Sequence, residues 1–365
     1  MSAALRRPLP HVIVNCTLLL ICLVWLVPTF GLFVSSFRTR DDVLTTGWWT
    51  IFPHREWVSV QELSPSRNID RDQPMSFAGV IGTFAELRAG IIAPDGRRVR
   101  WVGNKRAGKV EIEERRWAGL PQFTLDNYRD VLTGKEYQVV DADGVKHGRK
   151  GDDLSGAFLN TLAVTIPSVV IPVTLAAFAA YGFAWMRFPG RNILFAVVVA
   201  LLVVPLQIAL VPVLTDYVQL RLNGTYLAVW LAHAGFGLPL AIYLLYNFIG
   251  AIPRDIMEAA VVDGASHLTI FTRLVVPLAV PALASYAIFQ FLWVWNDYLV
   301  ALIFIGSQPD VQVLTMRLAE IVGSRGNDWH LLTAGAFISM VLPLAVFFSL
   351  QRYFVRGLLA GSVKS

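Results

Sequence analysis

Few stretches of this chain carry residues whose types and spacing suit chemistry. Gly108-Lys109 and Gly134-Lys135 are the only glycine–lysine pairs that invite comparison with a phosphate cradle. Neither is followed by the Ser or Thr that G-x-x-x-x-G-K-[ST] requires, Val110 and Glu136 standing there instead, so neither completes the motif. No H-E-x-x-H occurs, and His233 has no second histidine at metal-ligand spacing. Cys16 and Cys22 lie six positions apart in one apolar run, on different faces of a helix, and supply neither a disulfide nor a metal framework. We therefore assign no catalytic residue, no metal and no cofactor to the chain itself. What remains is the chemistry of binding. Gln290, Trp293, Asn296, Asp297 and Tyr298 crowd into FQFLWVWNDY, an aromatic and amide set that suits the apolar faces and hydroxyls of a sugar. The same set also suits packing or a gate. Gln207, between prolines in VPLQIALVP, is a candidate pore-lining residue. A second polar cluster, EAAVVDGAS, brings Glu258 and Asp263 beside small residues and a glycine.

The elements that must position these residues are membrane spans. Of the 365 residues 55% are hydrophobic and 16% charged, with a mean hydropathy of +0.55. Soluble chains carry about a quarter charged residues. Six apolar runs reach the roughly 20 residues that a bilayer core requires: Val12–Phe37, Phe158–Met186, Asn192–Thr215, Thr225–Ile249, Leu278–Ile305 and Leu331–Leu350. The first run is too long for a cleaved signal peptide, and no small-residue cleavage site follows VSSFRTRDD.

Charge sets the expected orientation. Between Arg38 and Asp153 lie 19 of the 31 basic and 18 of the 26 acidic residues, a nearly balanced polar segment. Of the other basic residues, Arg6, Arg7, Arg187, Arg191, Arg254, Arg273, Arg352, Arg356 and Lys364 fall on one side if six spans alternate. Arg221, Arg317 and Arg325 fall on the other, among Asp216, Asp310, Glu320 and Asp328. The positive-inside rule then places both termini in the cytoplasm and the polar segment outside. Arg38 and Arg40 run against this pattern and are outnumbered.

Residues 38–157 read as a small, mostly β domain with tie-down helices. FAGVIGTFAEL, GRRVRWVG and KVEIEERRW have strand-like spacing, and EYQVVDADGVKHGRK reads as a hairpin turning at Asp143-Gly144. FTLDNYRDVLTG reads as a short amphipathic helix capped by Thr124 or Asp126. The domain serves either stability alone or the docking of an external partner. Its basic cluster, Arg97, Arg98, Arg100, Lys105, Arg106 and Lys109, is balanced by acids, which argues against nucleic acid.

IPRDIMEAAVVDGASHLTIFTRLVVPLAVPAL then reads as two short helices joined by a bend at Asp263-Gly264, the second running to about Val275, with Pro277 and Pro281 at membrane re-entry. Ala259 and Ala260 keep the surface small. A helix resting on anionic lipid would prefer a basic face. Asp255, Glu258 and Asp263 favour a protein partner instead.

EAAVVDGASHLTIFTRLVVPLAVPAL resembles the EAA loop of binding-protein-dependent ABC importer permeases, whose pattern is EAA, three residues, G, nine residues, then I-x-L-P. Glu258, Ala259, Ala260 and Gly264 match its first half. Leu274, Pro277 and Pro281 fall in its second, with Val275 and Val276 where isoleucine is common. GWWTIFP, FTLDNYRDVL, FLNTL, AAYGFAWMRFPGR, FLWVWNDYLVAL and QRYFVRGLLAGSVK, in this order apart from the loop, are similar to pieces of the small, maltose-type sugar permeases. The resemblance spans about 12–50 and 120–365. Residues 54–120 and 135–153 exceed the usual outer loop and resemble the alpha-glucoside branch.

The resemblance implies an all-α polytopic fold of six spans with a cytoplasmic coupling helix and a β insertion on the periplasmic or extracellular face. It implies a division into 1–37, 38–157, a permease core 158–350 with coupling loop 251–277, and a cytoplasmic tail 351–365, in a bacterial inner membrane. Implied partners are a homologous second permease, a dimer of ATPase subunits carrying ATP and Mg²⁺, an external solute-binding protein, and a di- or oligosaccharide. Glu258, Ala259, Ala260, Asp263 and Gly264 would meet the ATPase, with Phe271 and Pro277 seating the loop. A permease for another small solute is the alternative. A secondary transporter would call for internal repeats and a charged ion pathway, neither of which is visible.

Overall fold

The computed structural model describes residues 9–66, 70–119, 122–134, 136–140, 146–150, 153–325 and 328–360. The chain forms two compact units, one of residues 1–40 and 124–365, the other Asp41–Phe123. The Asp143-Gly144 turn lies outside the described residues.

The chain begins with α1 (Leu9–Ser36), whose apolar side chains, Trp25 among them, are largely exposed, as in a helix meant for lipid. The unit Asp41–Phe123 opens with α2 (Arg40–Thr45) and a single 3₁₀ turn over Trp48–Ile51. Its strands are β1 (Arg55–Leu63), β2 (Met75–Phe77), β3 (Val80–Gly82), β4 (Ile91–Ile92), β5 (Arg98–Val102) and β6 (Lys109–Trp117). The main sheet is antiparallel in the order β1-β6-β5-β4, and β2 and β3 form a separate hairpin. Its tight turn is Ala78-Gly79, both with positive φ. Met75, Phe77, Val80, Leu87, Val99, Trp101 and Val110 form the core.

Within FAGVIGTFAEL the strand reading holds only for the first half. Phe84–Ala89 is a helix, α3, because Thr83 and Glu86 close a reciprocal capping box over its first turn. Thr83 also holds the Glu86 carboxyl below its ordinary range through the backbone N–H. The basic cluster is neutralised across the sheet. Arg98 and Arg100 flank the buried Glu113, Arg97 meets Glu114 at 3.2 Å, Lys105 pairs with Asp72, and Lys109 bridges Glu62 and Glu111. The Asp72 pKa is accordingly lowered and that of Lys109 raised.

In the other unit α4 (Asp126–Thr133) has Leu125 at its N-cap with no side-chain cap, in place of the expected Thr124 or Asp126; Thr124 sits one residue earlier, its hydroxyl accepting from the Asp126 amide. The buried Asn127 side chain donates to the carbonyls of Ser36 and Arg38, tying α4 to the end of α1. Strands β7 (Glu136–Val140) and β8 (Lys146–Lys150) pair antiparallel. Asp153 caps α5 (Leu154–Trp185). Then come α6 (Arg191–Leu201), α7 (Leu206–Gln219), α8 (Tyr226–Gly250), α9 (Arg254–Val262), α10 (His267–Ile270), α11 (Val276–Trp295), α12 (Leu299–Ile305), α13 (Leu314–Arg325) and α14 (Trp329–Ala360).

Among the described residues five helical stretches are long and apolar enough to cross a bilayer: His11–Ser36, Leu154–Trp185, Tyr226–Gly250, His267–Trp295 and Trp329–Arg352. The expected third span is not straight. It is the pair α6 and α7, bent by 106°, and it makes a sixth span only if the two are taken together. Pro205 explains the break: it has no N–H, and its ring disfavours helix at Val204. Leu202, Val203 and Val204 close short turns onto Val199, Ala200 and Leu201 before the helix restarts.

Helix α5 packs on α8 and α11. Of its small-residue stripe, Ala176, Ala177 and Ala180 are buried in this bundle with Ala241, Ile242 and Leu245 of α8, so the stripe serves the chain's own core.

Candidate functional site

Most of the sequence-predicted residues fall in two clusters, one at each end of the helical run that starts at His267 and stops at Trp295.

At the first end, Pro253 leads into α9, with Asp255 in the first turn. The helix buries Met257 and leaves Glu258, Ala259, Val261 and Val262 exposed, with Ala260 half-buried. It stops on a Schellman pair: the Ala265 amide donates to the Ala260 carbonyl at 3.0 Å, and Gly264 to that of Val261 at 3.0 Å. That closure places Gly264 at φ +78°, with nothing near a would-be Cβ. The glycine is required for its backbone angle, not for close approach. Asp263 occupies the cap position before it. Ser266 then caps the next helix through the Thr269 amide at 3.2 Å. The elbow is thus hydrogen-bonded on both sides of the bend.

Beyond the bend, the separate short helix expected from the sequence is absent. α10 runs through one π-helical turn, Phe271–Val275, directly into α11, the Val276 amide donating to the Phe271 carbonyl. Pro277 sits within the first two positions of α11 rather than at a break. The wider turn gives the proline ring, which lacks an N–H, room to continue the helix. Phe271 is buried, stacked on Phe178 at 4.4 Å and tilted against Tyr181 at 5.5 Å. The Tyr181 hydroxyl lies 3.0 Å from His267 Nδ1. The elbow therefore presents Glu258 and an apolar rim of Ile256, Val261, Val262 and Leu268 outward while its other side belongs to the bundle core.

At the second end α11 stops at Trp295, and the expected run to Ile305 is interrupted by Asn296–Tyr298 before α12. Asn296 turns its side chain back onto the Leu292 carbonyl. One Asp297 oxygen accepts from the Ala301 amide at 3.0 Å and lies 3.6 Å from His233 Nε2, while the Asp297 carbonyl accepts from Thr315. The Trp293 ring meets His233 edge-on at 5.2 Å. Gln290 is fully buried: its amide nitrogen donates to the carbonyls of Ser168 and His233, and its oxygen lies 2.8 Å from the Tyr286 hydroxyl, which also reaches Gly237. Gln290, Trp293 and Asp297 are thus gathered around His233. Gln207 is exposed in the first turn of α7 and joins none of these contacts. Tyr298, 42% exposed, faces an open cleft of about 290 Å³ together with Ser307, Gln312, Met316 and Glu320.

His233, Gln312 and Glu320 were not read as site residues from sequence. His233 carried the only usable signal, an imidazole within an apolar run; its carboxylate partner lies 64 positions away. Asn160 of FLNTL also turns out to be a junction: it donates to the carbonyls of Asp310 and Gln312 and accepts from Tyr226.

Fold and clusters together define a polytopic helical membrane protein with an exposed, pre-shaped elbow. Residues 142–359 match the family of binding-protein-dependent transport system inner membrane components. The chain is 48% identical over 352 residues to the osmoprotective compounds uptake permease protein GgtD of Synechocystis sp., covering 96% of this chain and 92% of that protein. It is 44% identical over a 410-residue alignment to the alpha-glucoside transport system permease protein AglG of Rhizobium meliloti, covering the whole of both. A probable ABC transporter permease protein of Pyrococcus horikoshii is 38% identical over 250 residues, 68% of this chain and 85% of that protein. The chain belongs to the binding-protein-dependent transport system inner membrane components and is a transporter permease subunit.

Proposed function

We propose that this permease forms one half of the translocation pathway of an ATP-driven importer for carbohydrate, of the di- or oligosaccharide and specifically alpha-glucoside class. The full-length similarity to AglG supports the substrate class. A homologous second permease supplies the other half, and an external binding protein delivers the solute. Six spans cross the inner membrane with α6 and α7 together as the third, and both termini are cytoplasmic. The segment 38–157 lies outside, 158–350 is the permease core, and 351–365 is a cytoplasmic tail.

The observation that carries the coupling role is the elbow. Its acidic and apolar outer face is offered to a partner while Met257 and Phe271 are anchored in the core. One subunit of a separate ATPase dimer, which binds ATP and Mg²⁺, grips Glu258, Ala259, Ala260 and Asp263. Gly264 holds the bend, and Phe271 with the turn at Pro277 passes the displacement into α11 as a rigid body. At the far end Gln290, Trp293, Asn296 and Asp297 form a gate, with the Gln290 and Asp297 side chains hydrogen-bonded within the bundle. Tyr298 faces the solute, and Gln207 lines the kinked third span.

Co-isolation from the native membrane tests this. The chain is expected to bring down an ATPase and a second permease, with solute-stimulated ATP hydrolysis that Gly264→Asp abolishes. Retained stimulation in Gly264→Asp and Glu258→Ala, or an elbow labelled from the external side, would sink the reading.

A further inference from the structure

The geometry points to the cleft between α12 and α13 as a carbohydrate subsite in this subunit, sized for one sugar ring. This rests on the import reading above and adds where the chain itself touches the substrate. The cleft lies beyond the C-terminal end of α11, at the opposite end of that helix from the elbow. Its volume of about 290 Å³ is at the small end of ligand pockets, which run from roughly 300 Å³.

The lining is pre-arranged. Gln312 is 1% exposed, and its backbone is held by Asn160. Its side-chain nitrogen donates to Glu320 Oε1 at 2.7 Å and to the Ser307 carbonyl at 3.3 Å. Its side-chain oxygen has no partner, and a buried acceptor left unmet is a group that wants a donor. Arg317 holds the other Glu320 oxygen at 3.1 Å and the Pro309 carbonyl at 3.0 Å. The Glu320 carboxylate is therefore oriented from both sides and keeps lone pairs for more donors. Beside these acceptors stands the exposed ring of Tyr298, with Met316 as apolar floor.

Acceptors at Gln312 and Glu320 with the Tyr298 and Ser307 hydroxyls beside them, next to an aromatic face, call for a neutral ligand rich in hydroxyls with an apolar side, which describes a pyranose ring. A quaternary-ammonium zwitterion such as glycine betaine also suits an aromatic ring beside a carboxylate but leaves the Gln312 acceptor unmet, because it has no hydrogen-bond donor.

The test uses the assembled importer in membrane vesicles. Ala319, exposed on the cleft wall, is changed to cysteine in a Cys16→Ser, Cys22→Ser background, and its labelling by a membrane-impermeant maleimide is timed. Trehalose or maltose is expected to slow labelling severalfold, and glycine betaine is not. Tyr298→Ala, at an exposed position, and Gln312→Leu are each expected to weaken the protecting sugar's apparent affinity roughly tenfold, the effect of losing one good contact. Unchanged labelling in an assembly that imports the sugar overturns the subsite and leaves the import reading standing. Protection without import does the reverse. Protection by glycine betaine in place of either sugar overturns the assignment of the ligand.

Discussion

At one end of the helical run from His267 to Trp295 the polar groups face outward; at the other they are consumed inside the bundle. Glu258 and Asp263 on the elbow are exposed, and the backbone around them satisfies itself through the Schellman closure and the Ser266 cap. Gln290 and Asp297 spend their side chains on Ser168, His233, Tyr286 and Ala301. The same polar residue types thus do opposite work. A group with its hydrogen bonds already met inside the protein contributes stability and register. A group left on a rigid, well-seated surface is available to a partner and contributes little to stability on its own. The elbow is built as a handle and the break as a latch.

Substitutions at the two ends can break that contrast, from the largest expected loss of stability to the smallest. Phe271→Ala removes a buried ring from between Phe178 and Tyr181 and should cost about 3 kcal/mol, read by chemical denaturation of the detergent-solubilised protein. Gln290→Leu removes the side-chain donor to the Ser168 and His233 carbonyls, while the Tyr286 hydroxyl keeps Gly237, and should cost about 2 kcal/mol in the same assay. A neutral result there would mean the far end is not a latch. Gly264→Ala forces a Cβ onto φ +78° and should cost about 1 kcal/mol. Glu258→Ala should move stability by less than about 0.5 kcal/mol while removing most solute-stimulated ATP hydrolysis in the assembly. If its stability and coupling fell together, the handle would be no different from the latch.

The β unit gives a further check on how buried polar groups behave here. Glu113 is 4% exposed between Arg98 and Arg100. Both cations keep some access to water, so the loss is about 1 kcal/mol, below that of a fully buried pair. Glu113→Ala should therefore loosen the environment of Trp101 and lower the unfolding midpoint of that unit, followed by tryptophan fluorescence.

Long apolar runs, their charged flanks and the EAAVVDGAS elbow were legible in the chain because each is a local pattern. Bilayer thickness sets span length, and Asp-Gly after a short amphipathic stretch marks a bend wherever it occurs. The T-F-A-E capping box was equally local and was obscured by the strand-like spacing around it. Only the tertiary structure decided the continuity of α10 into α11 through the π-helical turn, the meeting of His233 with Asp297, and the cleft that joins Tyr298 to Gln312 and Glu320. These depend on which faces of distant helices come together, and a contact between residues 57 or 64 positions apart leaves no periodic trace in the chain.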